Sequence, residues 1–514
     1  MECTNLWQLS HLFLGETHTV TCLRTIRLPL AACAACFDPL ALLRSKRESK
    51  GAPMRVPRFG LWWLALALLG AIQIGCSAPS TEGDTASAST DAPTAASTAA
   101  MSSAGVESTV PAVQDGAAQD GTADSGTQDA PRPVPAQAQF DPLRLLEATL
   151  PDEQLESGWI RLFDGYTAMG WFVEGKANWS IADGVVRVDS GEHSYFCTQL
   201  QFSDFEFQVD FRCDPQTNSG IFLRTTPRPG NVATDCLELN IAPPDNPFPT
   251  GSFVRRQRLE PEQLASFDPT QWHTYYVRVE GRQATVHLDD RQIMVLDDFD
   301  AAPTGHIALQ HNSGRVEFRN VLLRPIGLQR LRTDAQWESD WTAATKPGDS
   351  MQVTGSTEGL HIVGGLGKVQ SRKSFGDFAL QASYTLASPQ VNSGIFFRCI
   401  PDSMLDGYEC QVNHATIDGD PLRPADGGAG AIFRRQDARI VVGDGTRRTF
   451  LTLYAVGPHM ATWVNGLQVV DFTDRRAPDD NPRRGLRLAP GPLALQGHDP
   501  TTDVLFHSIA VARP

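Results

Sequence analysis

The amino-acid sequence predicts an all-β protein made of two tandem copies of one β-sandwich domain. From about Gly158 onward, short runs in which apolar and polar residues alternate are separated by Gly, Pro, Asn and Asp, and helical periodicities are few. A chain of 514 residues is also too long for one ordinary hydrophobic core. In addition, a set of sequence blocks recurs in the same order, at a spacing far too long for a solenoid repeat, which indicates domain duplication.

Residues 54–76 are typical of an export signal. Two arginines precede an apolar run over 59–74 that is short for a membrane span. The following Gly-Cys is similar to the bacterial lipoprotein signal and predicts lipidation of Cys76, although Gln73 stands where that pattern prefers leucine. A plain secretory signal or a single anchor helix is the alternative, and either would export the chain. Because the signal lies so deep, we expect residues 1–53 to be a start-site artefact or unstructured.

Residues 77–139 predict a disordered linker. The segment is rich in Ala, Ser, Thr, Asp, Gly and Pro and contains no aromatic residue, so it cannot bury enough apolar surface to offset the entropy of ordering. Behind a lipidated cysteine it would act as a flexible tether. The expected location is the periplasm or cell envelope, with the membrane contacted only through the lipid anchor or the signal.

Charge and cysteine usage exclude two classes of function. The formal net charge of -15 and the pI of about 5.3 argue against a nucleic-acid partner, because no basic face is available to neutralise phosphates. The 10 cysteines include no CxxC pair or His-Cys cluster after the export signal, which argues against a zinc site.

The two copies align block by block. The phrase NSGIFLR at 218–224 returns as NSGIFFR at 392–398, so that Asn392 lies 174 residues after Asn218. Other matching blocks are CLELNI with GYECQV, GSFVRRQ with GAIFRRQ, and GHIALQ with GPLALQ. The arginine pairs in the second of these, at 255–256 and 434–435, either line a cleft or form a solvated strand edge.

Strand alternation indicates where a site could lie in each copy. Asn218, Phe222 and Arg224 fall on one face of the first repeated strand, and Glu238 and Asn240 fall on the polar face of the next. The corresponding polar residues of the second copy are Asn392, Arg398, Glu409 and Gln411. Because a sandwich buries its inner face, we expect these side chains on an outer, concave sheet surface. Ordinary turn chemistry and a structural Glu-Arg pair are the competing interpretation, which the retention of the same residue types in both copies disfavours.

At these motifs the chain resembles a family of bacterial exported domains associated with 3-keto-disaccharide hydrolysis and with 3-keto-glucoside 1,2-lyase and 3-keto-2-hydroxy-glucal hydratase activity. The resemblance covers residues 158–326 and 335–514 and implies two tandem concanavalin A-like jelly-roll sandwiches. Its first copy is carried by GWIRLFDGYTAMGW, WSIADGVVRV, NSGIFLR, LELNI, PTGSF, WHTYYVRVEGRQATVHLDD and ALQHNSGRVEFRNVLLRP. The second copy keeps GDF, NSGIFFR, GYECQVN, WVNG and GPLALQ but lacks the opening LFDG block and the terminal FRN.

The resemblance implies an exported enzyme that cleaves 3-keto-glycosides. A ketone at sugar carbon 3 acidifies the hydrogen on carbon 2, so the reaction needs one base, donors for the enolate oxygen and an acid for the leaving group. The implied roles are base or metal-coordinating carboxylate for Glu238 or Glu409, oxyanion stabilisation for Arg224 or Arg398, acid for His311 or His498, and hydroxyl orientation for Asn218, Asn240, Asn392 and Gln411. A divalent metal ion would also stabilise the enolate, although nothing in the spacing requires one.

Two other classes of function stay open at this point. The same sandwich fold hosts lectins, so a non-catalytic carbohydrate-binding module in the cell envelope is the main alternative. Tandem duplication suits such a module, because two weak sites on one tether gain effective concentration. A structural envelope protein with inactive sites is the third reading.

Overall fold

The structure, a computed structural model, describes residues 132–514. Two β-sandwiches follow one another along this part of the chain, which confirms the prediction of two tandem concanavalin A-like jelly rolls. The predictions for residues 1–53, for the signal at 54–76 with Cys76 and for most of the linker at 77–139 lie outside the described residues. Within 132–514, no helix has both the length and the apolar character needed to cross a membrane.

The first sandwich pairs a nine-stranded sheet with a five-stranded sheet. Its strands are β1 (Ala136–Gln137), β2 (Ile160–Arg161), β3 (Trp171–Ala177), β4 (Ser180–Ala182), β5 (Val185–Val188), β6 (Gly191–Thr198), β7 (Phe205–Cys213), β8 (Asn218–Thr225), β9 (Leu237–Ile241), β10 (His273–Glu280), β11 (Gln283–Leu288), β12 (Arg291–Leu296), β13 (His306–Ser313) and β14 (Val316–Pro325). The larger sheet has the order β1-β4-β5-β14-β7-β10-β11-β12, with β2 paired to β14, and the smaller has the order β3-β6-β13-β8-β9.

The second sandwich repeats this arrangement with an eight-stranded and a five-stranded sheet. Its strands are β15 (Gln329–Leu331), β16 (Trp341–Thr345), β17 (Gln352–Gly355), β18 (Leu360–Val363), β19 (Gly367–Phe375), β20 (Phe378–Leu386), β21 (Ser393–Phe397), β22 (Tyr408–Val412), β23 (Thr416–Ile417), β24 (Asp420–Pro424), β25 (Thr449–Val456), β26 (His459–Val464), β27 (Leu467–Thr473), β28 (Gly491–Gly497) and β29 (Asp503–Ala512). The larger sheet has the order β17-β18-β29-β20-β25-β26-β27, with β15 paired to β29, and the smaller has the order β16-β19-β28-β21-β22. Strands β23 and β24 form a separate hairpin.

Within residues 132–514, helical structure is confined to short segments. They are the helix α1 (Asp152–Glu156) and the 3-10 turns at Pro142–Ala148, Pro261–Leu264, Trp337–Ser339 and Ala425–Gly427.

The two sandwiches are packed against each other. The ring of Phe202 in the first lies 5.4 Å from that of Tyr454 in the second, and the Trp463 indole Nε1 donates to the Arg161 carbonyl over 2.9 Å. A buried ion pair joins Arg439 Nη1 to Asp164 Oδ2 at 2.9 Å. Tyr454 and Trp463 are both buried in the core cluster of the first sandwich, so the two copies share continuous apolar packing and not only a connecting peptide.

A strap formed by residues 140–157 precedes the first copy but packs on the second. Leu145 and Ala148 belong to the hydrophobic core of the second sandwich, and the Leu150 amide donates to the Asn465 carbonyl over 3.1 Å. Leu150 lies so close to Gly466 that a β-carbon there would come within 2.6 Å of the leucine side chain. No element is predicted from the sequence for this strap. Strand β1 is paired to β4 at the edge of the larger sheet, although its residues fall in the segment predicted as a disordered linker.

Candidate functional site

The outer face of each five-stranded sheet carries a row of polar side chains. In the first sandwich Tyr195, Gln310, Gly220 and Asn240 are successive cross-strand neighbours on β6, β13, β8 and β9. The adjacent row ends at Glu238, which stands opposite Phe222. Side chains of alternate residues leave a strand on opposite faces, so the intervening apolar residues of these strands enter the core.

The second sandwich builds the same face. Lys368, Gln496, Gly394 and Gln411 occupy the row on β19, β28, β21 and β22, and Glu409 stands opposite Phe396 in the adjacent row. The register therefore matches Tyr195 with Lys368, Gln310 with Gln496, and Asn240 with Gln411. The predicted outer-face position of the glutamates and of Asn240 and Gln411 agrees with the structure.

The glycine of the repeated NSG phrase makes room for the glutamate of the next strand. A β-carbon at Gly220 would lie 3.4 Å from Glu238 Oε1, and one at Gly394 would lie only 2.7 Å from Glu409 Oε1. A side chain at Gly394 would push the Glu409 carboxyl group away from the sheet, whereas one at Gly220 would only come into van der Waals contact with Glu238. The repeated glycine thus has a spatial reason beyond turn formation.

Both glutamates are buried without a salt-bridge partner among the described residues. The Glu238 residue is 7% exposed, and burial raises the pKa of its carboxyl to about 7, although the Gln310 amide and the Arg255 guanidinium favour the charged form. Burial raises the pKa of Glu409 to about 8, against the opposing effect of Arg483 and with a further increase from Asp426. Each carboxyl group can therefore gain or lose a proton near neutral pH.

Several buried amide oxygens around these carboxyl groups have no hydrogen-bond donor within residues 132–514. They are Asn240 Oδ1 and Gln310 Oε1 in the first sandwich, and Asn392 Oδ1, Gln411 Oε1 and Gln496 Oε1 in the second. The amide nitrogens are partly engaged, since Gln411 Nε2 donates to the Asp426 carbonyl over 3.0 Å and Asn392 Nδ2 donates to Asp426 Oδ2 over 2.7 Å. Buried acceptors that lack a donor are costly, and a sugar hydroxyl would supply one.

The first member of the arginine pair lies beside the glutamate in each copy, and in the second copy Arg483 lies there as well. Arg255 and Arg434 occupy left-handed turn positions, with φ of 59° and 58°, directly after a residue whose amide donates to the Glu238 or Glu409 carbonyl. Each lowers the pKa of its glutamate, and neither forms an ion pair within residues 132–514. The second member is structural, because Arg256 donates to the Cys236 carbonyl over 2.8 Å and Arg435 to the Arg483 carbonyl over 2.7 Å.

The expectation that Arg224 and Arg398 stabilise an oxyanion is wrong in geometry. Arg224 is 2% exposed and donates to the Gly281 carbonyl and to Asp204, both over 2.6 Å. Arg398 is fully buried and donates to the Gly457 carbonyl over 2.7 Å and to Asp377 over 2.8 Å. Both residues have left-handed backbone, with φ of 49° and 48°, which breaks the strand alternation on which the expectation rested.

The two histidines are not brought to the carboxyl groups either. His311 pairs with Ser194 and Ser219 on the inner-facing register of β13, so it lies on the opposite side of the sheet from Glu238. His498 follows the end of β28, and its Nδ1 lies 2.7 Å from Asp499 Oδ2. The residues that face the site are Gln310 and Gln496, each at the end of the repeated ALQ phrase. They could have been predicted by aligning this strand with its neighbours, because every second residue lies on the outer face.

The first sandwich contains site residues that the sequence analysis did not single out. The His193 imidazole Nε2 lies 3.0 Å from Gln310 Nε2, and burial lowers the pKa of this histidine. Burial raises the pKa of Tyr195, so its hydroxyl keeps its proton at neutral pH. Asn218, by contrast, is only half-buried at the start of β8.

The carboxylate, histidine and amide set considered for a divalent metal is not assembled. Within residues 132–514 no three His, Cys, Asp or Glu side chains come close enough together to hold a metal ion. His311 is separated from Glu238 by the sheet. These residues do not fit such a centre.

Comparison with known proteins gives one family match and a number of similar solved structures. A 3-keto-alpha-glucoside-1,2-lyase-like domain model matches residues 158–324 and 333–512. A Parabacteroides distasonis protein assigned as a glycosyl hydrolase is 18% identical, with 35% of this chain and 99% of that chain covered and a TM-score of 0.30. The carbohydrate-binding module CBM66 of Bacillus subtilis is 16% identical over 30% of this chain and 95% of its own, with a TM-score of 0.25. No curated protein matches the chain. The chain belongs to the family of 3-keto-alpha-glucoside-1,2-lyase-like domains, of which it contains two tandem copies.

Proposed function

We propose that this protein is an exported enzyme that cleaves 3-keto-glycosides by ketone-assisted elimination and hydration, with net hydrolysis of the glycosidic bond. The observation that carries the proposal is the buried glutamate of each copy, Glu238 or Glu409, whose pKa of about 7 or about 8 suits a base at neutral pH. Glu238 lies near Arg255, Glu409 lies near Arg483 and Arg434, and both carboxyl groups are accompanied by amide oxygens without donors. The family membership supports the same chemistry.

The glutamate would act on the hydrogen at carbon 2. Its carboxylate removes that proton, and the electron pair forms the double bond of an enolate between carbons 2 and 3. When the ketone re-forms, a double bond develops between carbons 1 and 2 and the bond from carbon 1 to the leaving oxygen breaks. Water then adds across this double bond, with oxygen on carbon 1 and hydrogen on carbon 2. Ordinary glycosidases use two carboxyl groups that flank the bond, whereas this route requires one base.

The remaining groups have supporting roles in this proposal. Arg255 and Arg434 would stabilise the enolate oxygen, since each is a cation next to the base. The amides of Asn240, Gln310, Gln411 and Gln496 would orient sugar hydroxyls. Tyr195 would donate the proton that the leaving oxygen needs in the first copy, because its hydroxyl stays protonated at neutral pH.

A carbohydrate-binding function is the second candidate. The donor-free amide oxygens are suited to sugar hydroxyls whether or not a reaction follows. In that case the glutamates would contribute hydrogen bonds and not proton transfer.

Turnover of a keto sugar by single and double variants tests the proposal. The full-length chain and its Glu238→Gln, Glu409→Gln and double variants are incubated with a 3-keto-glucoside and with the unoxidised glucoside, and products are followed by mass spectrometry. We expect cleavage of the keto compound alone and no cleavage by the double variant. Glu280→Gln, an exposed change on the other sheet, is the matched control. Undiminished turnover by the double variant would refute the role of the glutamates, and saturable binding without turnover would favour the binding module.

Export belongs to the same proposal. A lipid on Cys76 would hold the two sandwiches at a membrane by the linker at 77–139. Mass spectrometry of the N-terminal peptide of the native protein checks this, since an unmodified peptide that begins elsewhere would contradict it.

A further inference from the structure

A loop of the second sandwich distinguishes its site from that of the first. The connection between β27 and β28 covers residues 474–490 and contains five arginines. The corresponding connection of the first sandwich, between β12 and β13, covers only 297–305 and contains three aspartates and no arginine. The longer connection also contains Asp474, Asp479 and Asp480, so its formal net charge is +2, against -3 for the shorter one.

Buried hydrogen bonds fix this arginine-rich loop beside Glu409. Asp474, which is 1% exposed, accepts from Arg476 Nη2 and from the Tyr408 hydroxyl, both over 2.7 Å. The Arg487 amide in turn donates to the Tyr408 oxygen over 3.0 Å. Because Tyr408 precedes Glu409 on β22, these bonds tie the loop to the strand that carries the carboxyl group. The loop has a defined position and is not a mobile rim.

The loop and the strand enclose a cavity of about 210 Å³. Its lining is Gly407, Tyr408, Glu409, Phe433, Arg434, Arg435, Pro482 and Arg483. Three arginines and one carboxyl group thus face the same space. Arg435 is held by backbone carbonyls. Arg483 Nη2 donates to the Leu405 carbonyl over 3.1 Å, so its Nη1 and the Arg434 guanidinium are the groups left to contact a ligand.

Neighbouring acids leave positive charge in the cavity. Asp406 Oδ1 lies 3.5 Å from Arg483 Nε, a long contact that partly neutralises one guanidinium. Asp426 is hydrogen-bonded to the amides of Asn392 and Gln411 and does not line the cavity. Arg434 lies over the Phe433 ring at 5.3 Å and forms no ion pair within residues 132–514. Stacked arginine keeps its charge and its donors available for a carboxylate or sulfate.

We propose that the second domain binds sugars with an anionic substituent, a uronate carboxylate or a sulfate ester, at Arg483, whereas the first domain takes uncharged sugars. The inference rests on the proposed function only in placing the sugar ring beside Glu409. The register supports the division, because the position of Lys368 in the second sheet is held by Tyr195 in the first. One chain would then process both kinds of sugar from a mixed polysaccharide.

Binding of unoxidised methyl glycosides to the full-length chain tests this division without requiring turnover. The probes are a glucoside, a glucuronide and a glucoside 6-sulfate, measured by calorimetry with wild type and with Arg483→Gln. We expect the substitution to weaken binding of an anionic probe about ten- to a hundred-fold and to leave the neutral glucoside unchanged. The anion that loses affinity identifies the substituent. Arg484→Gln, on the same loop but 69% exposed and outside the cavity, should change neither.

Two further results keep the inference separate from folding defects and from the cleavage mechanism. Arg483→Lys retains the charge and should keep the binding of the anionic probe, even if the glutamine variant folds poorly. No loss of affinity for either anionic probe in Arg483→Gln, or an equal loss for the neutral and the anionic probes, would overturn the inference. Absence of turnover by every variant, with anion binding intact, would refute only the proposed function.

Discussion

Replacement of Glu409 by glutamine should stabilise the protein, and more so at higher pH. Burial raises the pKa of this carboxyl from 4.5 to about 8, so the folded state resists its ionisation. A group with a raised pKa contributes its full stability below the unfolded value and loses it as pH rises through the folded value. At about 1.4 kcal/mol per pKa unit, ionisation of Glu409 costs on the order of 4 to 5 kcal/mol of unfolding free energy by pH 9. Glutamine has nearly the same shape as glutamate and stays neutral, so the variant has no ionisation cost.

The assay is chemical denaturation of wild type and Glu409→Gln at pH 5, 7 and 9. At pH 5 the unfolding free energy of the variant should exceed that of the wild type by only about 1 kcal/mol, because the wild-type carboxyl is protonated in the folded state but, with an ordinary pKa of 4.5, is mostly ionised in the unfolded one. The difference should then grow in favour of glutamine over the window from about pH 5 to about pH 8. Other titrating groups cancel in the comparison of two variants. Parallel pH dependence of wild type and variant would refute the argument that Glu409 is buried without compensation.

Three other predictions follow from the same contacts. In Glu409→Gln only the first site keeps its glutamate, and turnover should increase with pH around a midpoint of about 7. In Glu238→Gln only the second site keeps its glutamate, and the midpoint should be about 8. A shared midpoint would contradict the two separate environments. Arg398→Met should lower the free energy of unfolding by about 3 kcal/mol, because the buried oxygens that Arg398 now contacts would have no donor, while the folded fraction keeps its turnover. Loss of turnover at unchanged stability would indicate a catalytic role for Arg398. Arg439→Met leaves Asp164 buried without its cation and should cost about 3 kcal/mol, with part of it restored by Asp164→Asn; unchanged thermal unfolding would show that the ion pair between the sandwiches contributes nothing.

Sequence reasoning reached the fold and the glutamates because both depend on local alternation. Apolar residues at every second position define the core face of a strand, and the polar face follows from the same count. Glu238, Asn240, Glu409 and Gln411 were found in this way. The repeat within one chain then separated these positions from ordinary surface residues.

The errors arise where alternation stops or where distant segments meet. Arg224 and Arg398 adopt a left-handed backbone conformation at the ends of their strands. This could not be predicted from the residue type, because arginine rarely adopts that conformation. His311 is predicted as the acid from its titration near neutrality, but the face of β13 on which it lies is determined by pairing with β8, which is distant in sequence. The strap at 140–157 could not be predicted from local sequence, because the surface on which it packs belongs to the second copy.

This strap also determines how the molecule would respond to cutting and pulling. Proteolysis between the two copies, in residues 326–333, would not release the second sandwich, because Leu145, Ala148 and Leu150 hold it from the other fragment. Any tension that reaches the chain through its N-terminal linker would be divided between the edge strand β1 and the strap. A pulling force on the N-terminal linker would thus act on both copies, because β1 belongs to the first sandwich and the strap packs on the second.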